Sequence, residues 1–368
     1  MYFSELFNVN LTPNWRNIEL CGAFADLAKT PQSKKYHHEG NALSHTILVT
    51  DAMHNFIDQM PNRPYGYKLT LMAAALCHDL GKATTTSFDE AKQDYSCKNH
   101  GAESEKIVRR LFSEEDPTLL NNVCSLVRNH MVFHHIFDGD KDINKILIKM
   151  SLNRMTITEH ILMNLADKLG TVNDFETEEN VKAHGDKIAE LANELDILDK
   201  PYQFPSIEER RKFFDEKDNK EIANFTMYVM IGLPGSGKNY YIEHNLSDIP
   251  SISRDDIRTK IGIQGVKPQG NKEQEDYVTQ LFNDDVIKCC KEGKSFVINN
   301  TNVKRQYRDG YKRLVKQYNP KVVYILMETG VKTCKERREG LMPMSVIDNM
   351  SKNFEYPHPS EYDEIVIV

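Results

Sequence analysis

The chain has 368 residues, is 40% hydrophobic and 27% charged, and carries a formal net charge of −7. Those figures allow two domains, each with its own core, and argue against an indiscriminate polyanion binder. The charge is uneven: residues 225–368 hold 21 Lys+Arg and 19 Asp+Glu, net +2, which leaves −9 for residues 1–224. A nucleic-acid strand is therefore expected on the C-terminal half. No apolar run of about 18 residues is present, so no transmembrane helix is expected. Met1–Asn10 lacks the basic end and apolar run of a secretion signal. Seven cysteines, with Cys289 and Cys290 adjacent, show no framework spacing and are expected to be reduced in a cytoplasmic protein.

The first two hundred residues predict helices. Apolar spacing marks Tyr67–Cys77, Lys106–Phe112, Asn121–Val127, Ile143–Met150, Thr156–Leu169 and Asn180–Leu198, and clear hairpin signals are absent. Pro201–Asn224 is dense in charge and reads as a linker, or as a helix tying two domains together. From Phe225 the pattern changes. Short β-rich runs at Thr226–Ile231, Ser295–Ile298, Val322–Met327 and Ile365–Val368 alternate with helical stretches, which predicts a parallel sheet with right-handed crossovers. The expected fold is multidomain: an all-α domain over 1–200, a charged linker over 201–224, and an α/β domain over 225–368.

In the helical half, His78 and Asp79 end an apolar helix and Gly81 is expected to end the turn. Imidazole and carboxylate together suit Mn²⁺, Co²⁺, Ni²⁺, Fe²⁺ or Zn²⁺ better than Ca²⁺; a lone His-Asp pair also reads as structural. The surroundings are Asn41–Val49 with His45, Asn99–Glu103 with His100, Val127–Met131 with His130, and Leu165–Leu169 with Asp167. This series resembles the HD phosphohydrolase superfamily, most closely the HD domain of CCA-adding enzymes, over about 35–175. The resemblance implies that His45, His78, Asp79 and Asp167 hold one metal. His100 and His130 would hold a second, with Asp79 bridging, or would bond substrate or a carbonyl. His134 and His135 compete for that role. Lys82 would neutralise a substrate phosphate. His37, His38, His54, His160 and His184 read as surface or core residues.

In the C-terminal half, Gly232-Leu-Pro-Gly235-Ser236-Gly237-Lys238 follows an apolar run and precedes a helix. Glycines there let backbone N–H groups wrap phosphate oxygens, and Lys238 would reach the β/γ-phosphates. Asn239 stands where that motif has the Ser or Thr that holds Mg²⁺. Ser253 is a candidate helix cap. Asp255 and Arg258 share a helical face and fit a general base with a phosphate-gripping partner, or capping with surface charge. Arg305, Arg308, Lys312 and Lys316 fall near one helical face, which reads as a phosphate-backbone track or a solvated face. The glycine loop, Ser253-Arg-Asp-Asp-Ile-Arg258 and Asn300-Thr301-Asn302 together resemble the kinase domain of 5′-hydroxyl polynucleotide kinases over about 226–360. That resemblance implies ATP and Mg²⁺ as cofactors, Asp255 as base on the 5′-OH and Arg258 on the acceptor phosphate. Asn300 replaces the family's usual Asp. Arg337 would be the transition-state cation, with Arg338 as substitute.

The domain order resembles the HD-Pnk type of bacterial end-healing enzymes. Such an enzyme removes a 2′,3′-cyclic phosphate or 2′/3′-phosphate and phosphorylates a 5′-OH, on RNA and with DNA as an alternative, leaving ends for an RNA ligase. Two other readings stand beside it: an HD phosphohydrolase on small nucleotides with a nucleotide kinase, and an HD enzyme regulated by a non-catalytic ATP-sensing domain.

Overall fold

The computed structural model describes residues 1–215, 221–263 and 271–368. It divides into two compact units, Met1–Tyr202 and Gln203–Val368.

The first unit is built on helices, and the helix Tyr65–Cys77 lies at its centre. Every residue from Leu69 to Cys77 is buried. A helix apolar all round must be enclosed by others, and this one packs against Ala42–Asp58, Pro117–Asn129 and Ile157–Leu169. Local chemistry starts its neighbours: the Asn41 side chain accepts from Ser44 N at 2.9 Å, Asp116 accepts from Leu119 N at 3.0 Å, and Thr156 with Glu159 forms a capping box. A hairpin departs from the helical expectation for this half. Strands β1 (Thr86–Asp89) and β2 (Asp94–Cys97) form an antiparallel hairpin. Its turn, Glu90-Ala91-Lys92-Gln93, has none of the Asn-Gly or Asp-Gly signals that mark hairpins; Gln93 takes the left-handed backbone in their place, at φ 52°.

The second unit holds a five-stranded parallel sheet of β3 (Thr226–Ile231), β4 (Ser251–Ile252), β5 (Phe296–Ile298), β6 (Lys321–Leu326) and β7 (Glu364–Ile367), in the order β4-β5-β3-β6-β7. Alternate residues feed two cores. Val229, Ile231, Tyr324 and Leu326 pack on one face with Phe282 and Val286, while Met230, Val323 and Ile325 pack on the other with Ile242. Helices on both faces explain strands that are apolar almost throughout. The chain leaves β3 toward one edge and later returns to β3's other side at β6. The crevice at the carboxyl end of β3 is thus a topological switch point, where such sheets bind ligands.

Part of the stretch read as a linker, Ile207–Phe214, is a helix of this second unit. Arg211 pairs with Asp363, its Nε donating to Oδ1 at 2.7 Å, and Arg210 donates to the carbonyl of Pro359 at 2.8 Å. Residues 216–220 of that stretch lie outside the described residues. No helix among the described residues is long and apolar enough to cross a membrane.

His160 illustrates a cost in the helical core. It is buried against the Phe133 ring, and neither ring nitrogen has a hydrogen-bond partner among the described residues. Burial pushes its imidazole down from 6.5 to about 3. The unfolded chain therefore takes up a proton that the folded chain refuses. Stability is complete above about pH 6.5 and is lost as pH falls toward 3. The melting temperature of the helical unit should drop between pH 7 and pH 5, and drop less in His160→Phe. Equal drops in the two proteins would refute this account.

Candidate active sites

Five helices and their ends bring the predicted metal residues of the first unit together. His45 comes from Ala42–Asp58, His78 and Asp79 from the end of Tyr65–Cys77, and His100 from the start of His100–Leu111. His130 follows Pro117–Asn129, and Asp167 lies in the last turn of Ile157–Leu169. All six are buried. Asp79 sits between two groups. Its Oδ2 lies 3.2 Å from His78 Nε2 and 3.6 Å from His45 Nε2, while its Oδ1 lies 3.3 Å from His100 Nε2 and 3.8 Å from His130 Nε2. Asp167 Oδ1 lies 2.9 Å from His45 Nε2 and 3.6 Å from His78 Nε2. These atoms form overlapping groups with metal-ligand spacing.

The hydrogen bonds behind the rings test whether metal fits. Nδ1 of His78, His100 and His130 contacts the carbonyl of Ala75, Cys97 and Val127 at 2.8, 2.9 and 2.7 Å. A carbonyl only accepts, so Nδ1 carries the proton and neutral Nε2 is a lone pair. Yet Nε2 of His100 and His130 are 2.9 Å apart, and those of His45 and His78 are 3.4 Å apart. Lone pairs facing each other and two carboxylates need positive charge among them. Neither oxygen of Asp79 has a hydrogen bond of good geometry, although Lys82 Nζ is 2.7 Å from Oδ2. Without a cation, protons supply the charge. Burial opposes protonation of His45, but Asp167 and Glu39 outweigh it and hold the ring up at about 9. Asp79 likewise outweighs burial at His100 and holds it up at about 10. Burial and the His100 charge push His130 well below its usual value. Burial opposes the charged form of both carboxylates too, but His78 and Lys82 keep Asp79, and His134 and His78 keep Asp167, well below the usual range. The donor set fits divalent transition ions, whose binding would release those protons.

Several expectations need revision in detail. Gly81 is not a left-handed cap, since its φ is −69°. It is glycine because a β-carbon there would collide with the His100 carbonyl and stand 2.6 Å from Ser104 N. Lys82 is buried and engaged with Asp79 and with Gln32 Oε1 at 2.7 Å, so it supports a ligand carboxylate. His134 reaches the centre, 2.8 Å from Asp167 Oδ2, whereas His135 pairs with Asp138 at the surface. Glu39 and Gln32 touch the centre's side chains from a loop without a motif of its own, and His37, read as a surface or core residue, bonds Glu39.

In the second unit a cavity of about 1590 Å³ opens at the carboxyl ends of the strands. Gly235 and Gly237 take φ of 85° and 94°, a left-handed backbone that side chains disfavour. Gly232 N donates to Thr301 O at 2.9 Å, joining the loop to the segment after β5. The helix Lys238–Asn245 begins at the loop. Lys238 Nζ donates to the carbonyls of Gly232 and Leu233 at 3.1 and 2.8 Å, and burial pushes its ammonium down to about 8. Among the described residues the buried Ser236 hydroxyl has no hydrogen-bond partner. A buried cation held by carbonyls and a free hydroxyl suit an anion with several oxygens. Asn239 Oδ1 accepts from Asn299 Nδ2 at 3.0 Å, and Asn300 Oδ1 accepts from Arg254 N at 3.2 Å.

Ser253 caps the helix Arg254–Lys260, accepting from Asp255 N and Asp256 N. Arg258 is bonded to Glu275 through Nε and Nη2 at 2.9 and 2.8 Å, and to Asp255 Oδ1 through Nη1 at 2.6 Å. Asp255 and Arg258 line the same cavity as the phosphate loop, as do Asn300, Thr301, Arg337 and Arg338. Arg337 Nη1 donates to Gly235 O at 3.1 Å. The basic helix does not form a phosphate track. Arg308 is fully buried, with Nε 2.7 Å from Glu361 Oε2, and Lys312 donates to the carbonyl of Ser360 at 3.2 Å. Arg305 lies outside the cavity lining and faces Asp309 at 3.4 Å.

Residues 42–172 match the family model for the HD domain, and residues 227–357 match that for the AAA domain. The chain thus joins a region matching the HD-domain model to a C-terminal region, carrying the phosphate loop, that matches the AAA-domain model. Part of it, 121 aligned residues, is 27% identical to a protein of Autographa californica nuclear polyhedrosis virus named "Putative bifunctional polynucleotide kinase/RNA ligase"; the match covers 30% of this chain and 17% of the viral protein. A gluconokinase from Sinorhizobium meliloti 1021 aligns structurally at 18% identity and a TM-score of 0.27, over 40% of this chain and 85% of its own.

Gly81 offers a direct test of the packing around the HD centre. Gly81→Ala should cost about 1–3 kcal/mol through overpacking and displace His100, so that Mn²⁺ binding weakens along with thermal stability. Calorimetric titration with Mn²⁺ beside a melting curve checks both, and unchanged values would refute the close-approach argument.

Proposed function

We propose that this chain heals nucleic-acid ends: its P-loop domain phosphorylates a 5′-hydroxyl from ATP, and its HD domain removes a 2′,3′-cyclic phosphate or 2′/3′-phosphate. The observation that carries the reading is one cavity that holds both the phosphate loop and the Asp255–Arg258 pair. A donor phosphate cradled by the loop and an acceptor hydroxyl beside Asp255 would share that space. The Asp255 carboxylate would accept the hydroxyl proton as the oxygen attacks the terminal phosphorus of ATP and the bond from that phosphorus to the bridging oxygen breaks, releasing ADP. Arg258 holds Asp255 through Nη1 and is itself held by Glu275 through Nε and Nη2, so the second proton on each terminal nitrogen is what would meet a neighbouring phosphate. Lys238, Arg337 and Arg338 meet the charge that builds on the transferred group. Mg²⁺ would supply further charge neutralisation, with the Asn239 amide as the nearest counterpart of the usual hydroxyl ligand.

Two exposed aromatic rings on the cavity, Tyr240 and Tyr307, favour a nucleotide acceptor. Unpaired bases stack on such rings at about 1–3 kcal/mol each. The name of the viral relative supports nucleic acid as the substrate class. In the HD centre, His45, His78, Asp79 and Asp167 would hold one ion, and Asp79, His100 and His130 a second. Such ions activate water and stabilise the leaving oxygen. RNA is the favoured substrate, DNA the alternative, and an RNA ligase the expected user of the products. The asparagines at 239 and 300 favour a second reading, in which the P-loop domain senses ATP without transferring phosphate.

An RNA oligonucleotide with a 5′-OH and a 2′,3′-cyclic phosphate, incubated with ATP, Mg²⁺ and Mn²⁺ and weighed by mass spectrometry, separates these. The expected product gains a 5′-phosphate and loses its cyclic phosphate. Lys238→Ala should abolish the first change and spare the second; Asp79→Ala should do the opposite. A 3′ change without a 5′ gain in wild type would leave the sensor reading and the reading of a kinase for small nucleotides. Tyr307→Ala should raise KM for the oligonucleotide about 5-fold or more, in line with one lost stacking contact, while KM for ATP holds. An unchanged oligonucleotide KM would remove Tyr307 from the acceptor site.

A further inference from the structure

Behind His45 lies a carboxylate that the reading above does not use. Glu39 sits in the loop before the helix that carries His45, with its side chain 3% exposed. Glu39 Oε1 is 3.1 Å from His45 Nδ1 and 2.7 Å from His37 Nδ1, and its Oε2 accepts from Val172 N at 3.0 Å. An ionised carboxylate only accepts, so His37 presents its Nδ1–H to it, while the Nδ1–H of His45 lies beside it and donates to the Gly170 carbonyl. A proton on His45 is thereby held on the outer nitrogen, and Nε2 faces the centre, 2.9 Å from Asp167 Oδ1, as the nitrogen that would give up its proton to a cation.

His45 differs in this from the other histidines of the centre. His78, His100 and His130 rest their Nδ1 on backbone carbonyls alone. His45 also has the carbonyl of Gly170, at 3.2 Å, but adds a full negative charge. A carboxylate behind an imidazole raises the basicity of the opposite nitrogen and locks the ring's orientation. We infer that Glu39 is a positioning residue that makes His45 the strongest imidazole donor of the HD centre. This rests on reading that centre as a metal site.

The test compares Mn²⁺ affinity of the full-length metal-free protein with that of Glu39→Gln, by competition with a chromogenic chelator. The amide keeps the size of Glu39, but it removes the charge and cannot accept at both ends. Mn²⁺ affinity should fall about 10–100-fold while the melting temperature of the metal-free protein holds. Glu39→Asp, which keeps the charge on a shorter side chain, should recover part of the loss. If Glu39→Gln fails to fold, Glu39→Asp carries the test, with an intermediate fall expected. Wild-type affinity in whichever variant folds would overturn the inference and leave the metal centre standing. Failure of the wild-type protein to bind Mn²⁺, Co²⁺ or Ni²⁺ would overturn both.

Discussion

The burial of Asp79 is the constraint around which the helical unit is arranged. An ionised carboxylate in a protein interior is costly unless opposite charge surrounds it. Here Lys82 stands against one oxygen and four histidines from four helical segments stand around both. None of these partners could converge without the apolar helix Tyr65–Cys77, which ends where His78 and Asp79 begin. Its small residues, Ala73 to Ala75, are fully buried and admit the neighbouring helices closely. The core thus fixes positions, and the positions leave a charge pattern that only cations complete.

The P-loop domain shows the opposite polarity by the same logic. Lys238 is buried, its ammonium bonded to two carbonyls, and desolvation weakens its hold on its proton. Such a group gains most from an anion. The Arg308–Glu361 pair is the instructive contrast. It is equally buried but complete in itself, with a carbonyl of Asn302 taking a further guanidinium proton. A finished ion pair fastens the helix Arg305–Val315 to the end of the sheet. An unfinished charge invites a ligand. The distinction separates the structural arginine from the candidate functional lysine more surely than charge alone.

That contrast also shows what the sequence could carry. The phosphate loop is legible because its geometry is local: glycines with left-handed backbone, a strand before and a helix after, all within twenty residues. His78-Asp79 is legible as a candidate for the same reason, and the other ligands through their flanking motifs. Arg308 is not. Helical spacing places it on one face with Arg305 and Lys312, but only the distant Glu361 turns that face inward. Glu39 escapes notice because it lies in a loop without periodicity, and Gln32 for the same reason. The hairpin β1–β2 hides behind a turn lacking the usual dipeptides, though its end delivers the Cys97 carbonyl that orients His100.

The three asparagines near the phosphate loop bear on the balance between metal and phosphate. Asn239 and Asn299 are joined amide to amide, and Asn300 is tied to the Arg254 backbone and to the Tyr311 hydroxyl. The neutral amide of Asn300, where the family this half resembles usually has Asp, puts less negative charge near Lys238 and Arg337 than a carboxylate would. Phosphate oxygens are then met by cations and backbone N–H groups with less competing repulsion. An amide oxygen is a weaker Mg²⁺ ligand than a carboxylate, so more of the metal's coordination must come from phosphate and water. On the kinase reading proposed above, the amides would leave more of the metal's coordination to the nucleotide, while the backbone and cations that would cradle phosphate stay in place.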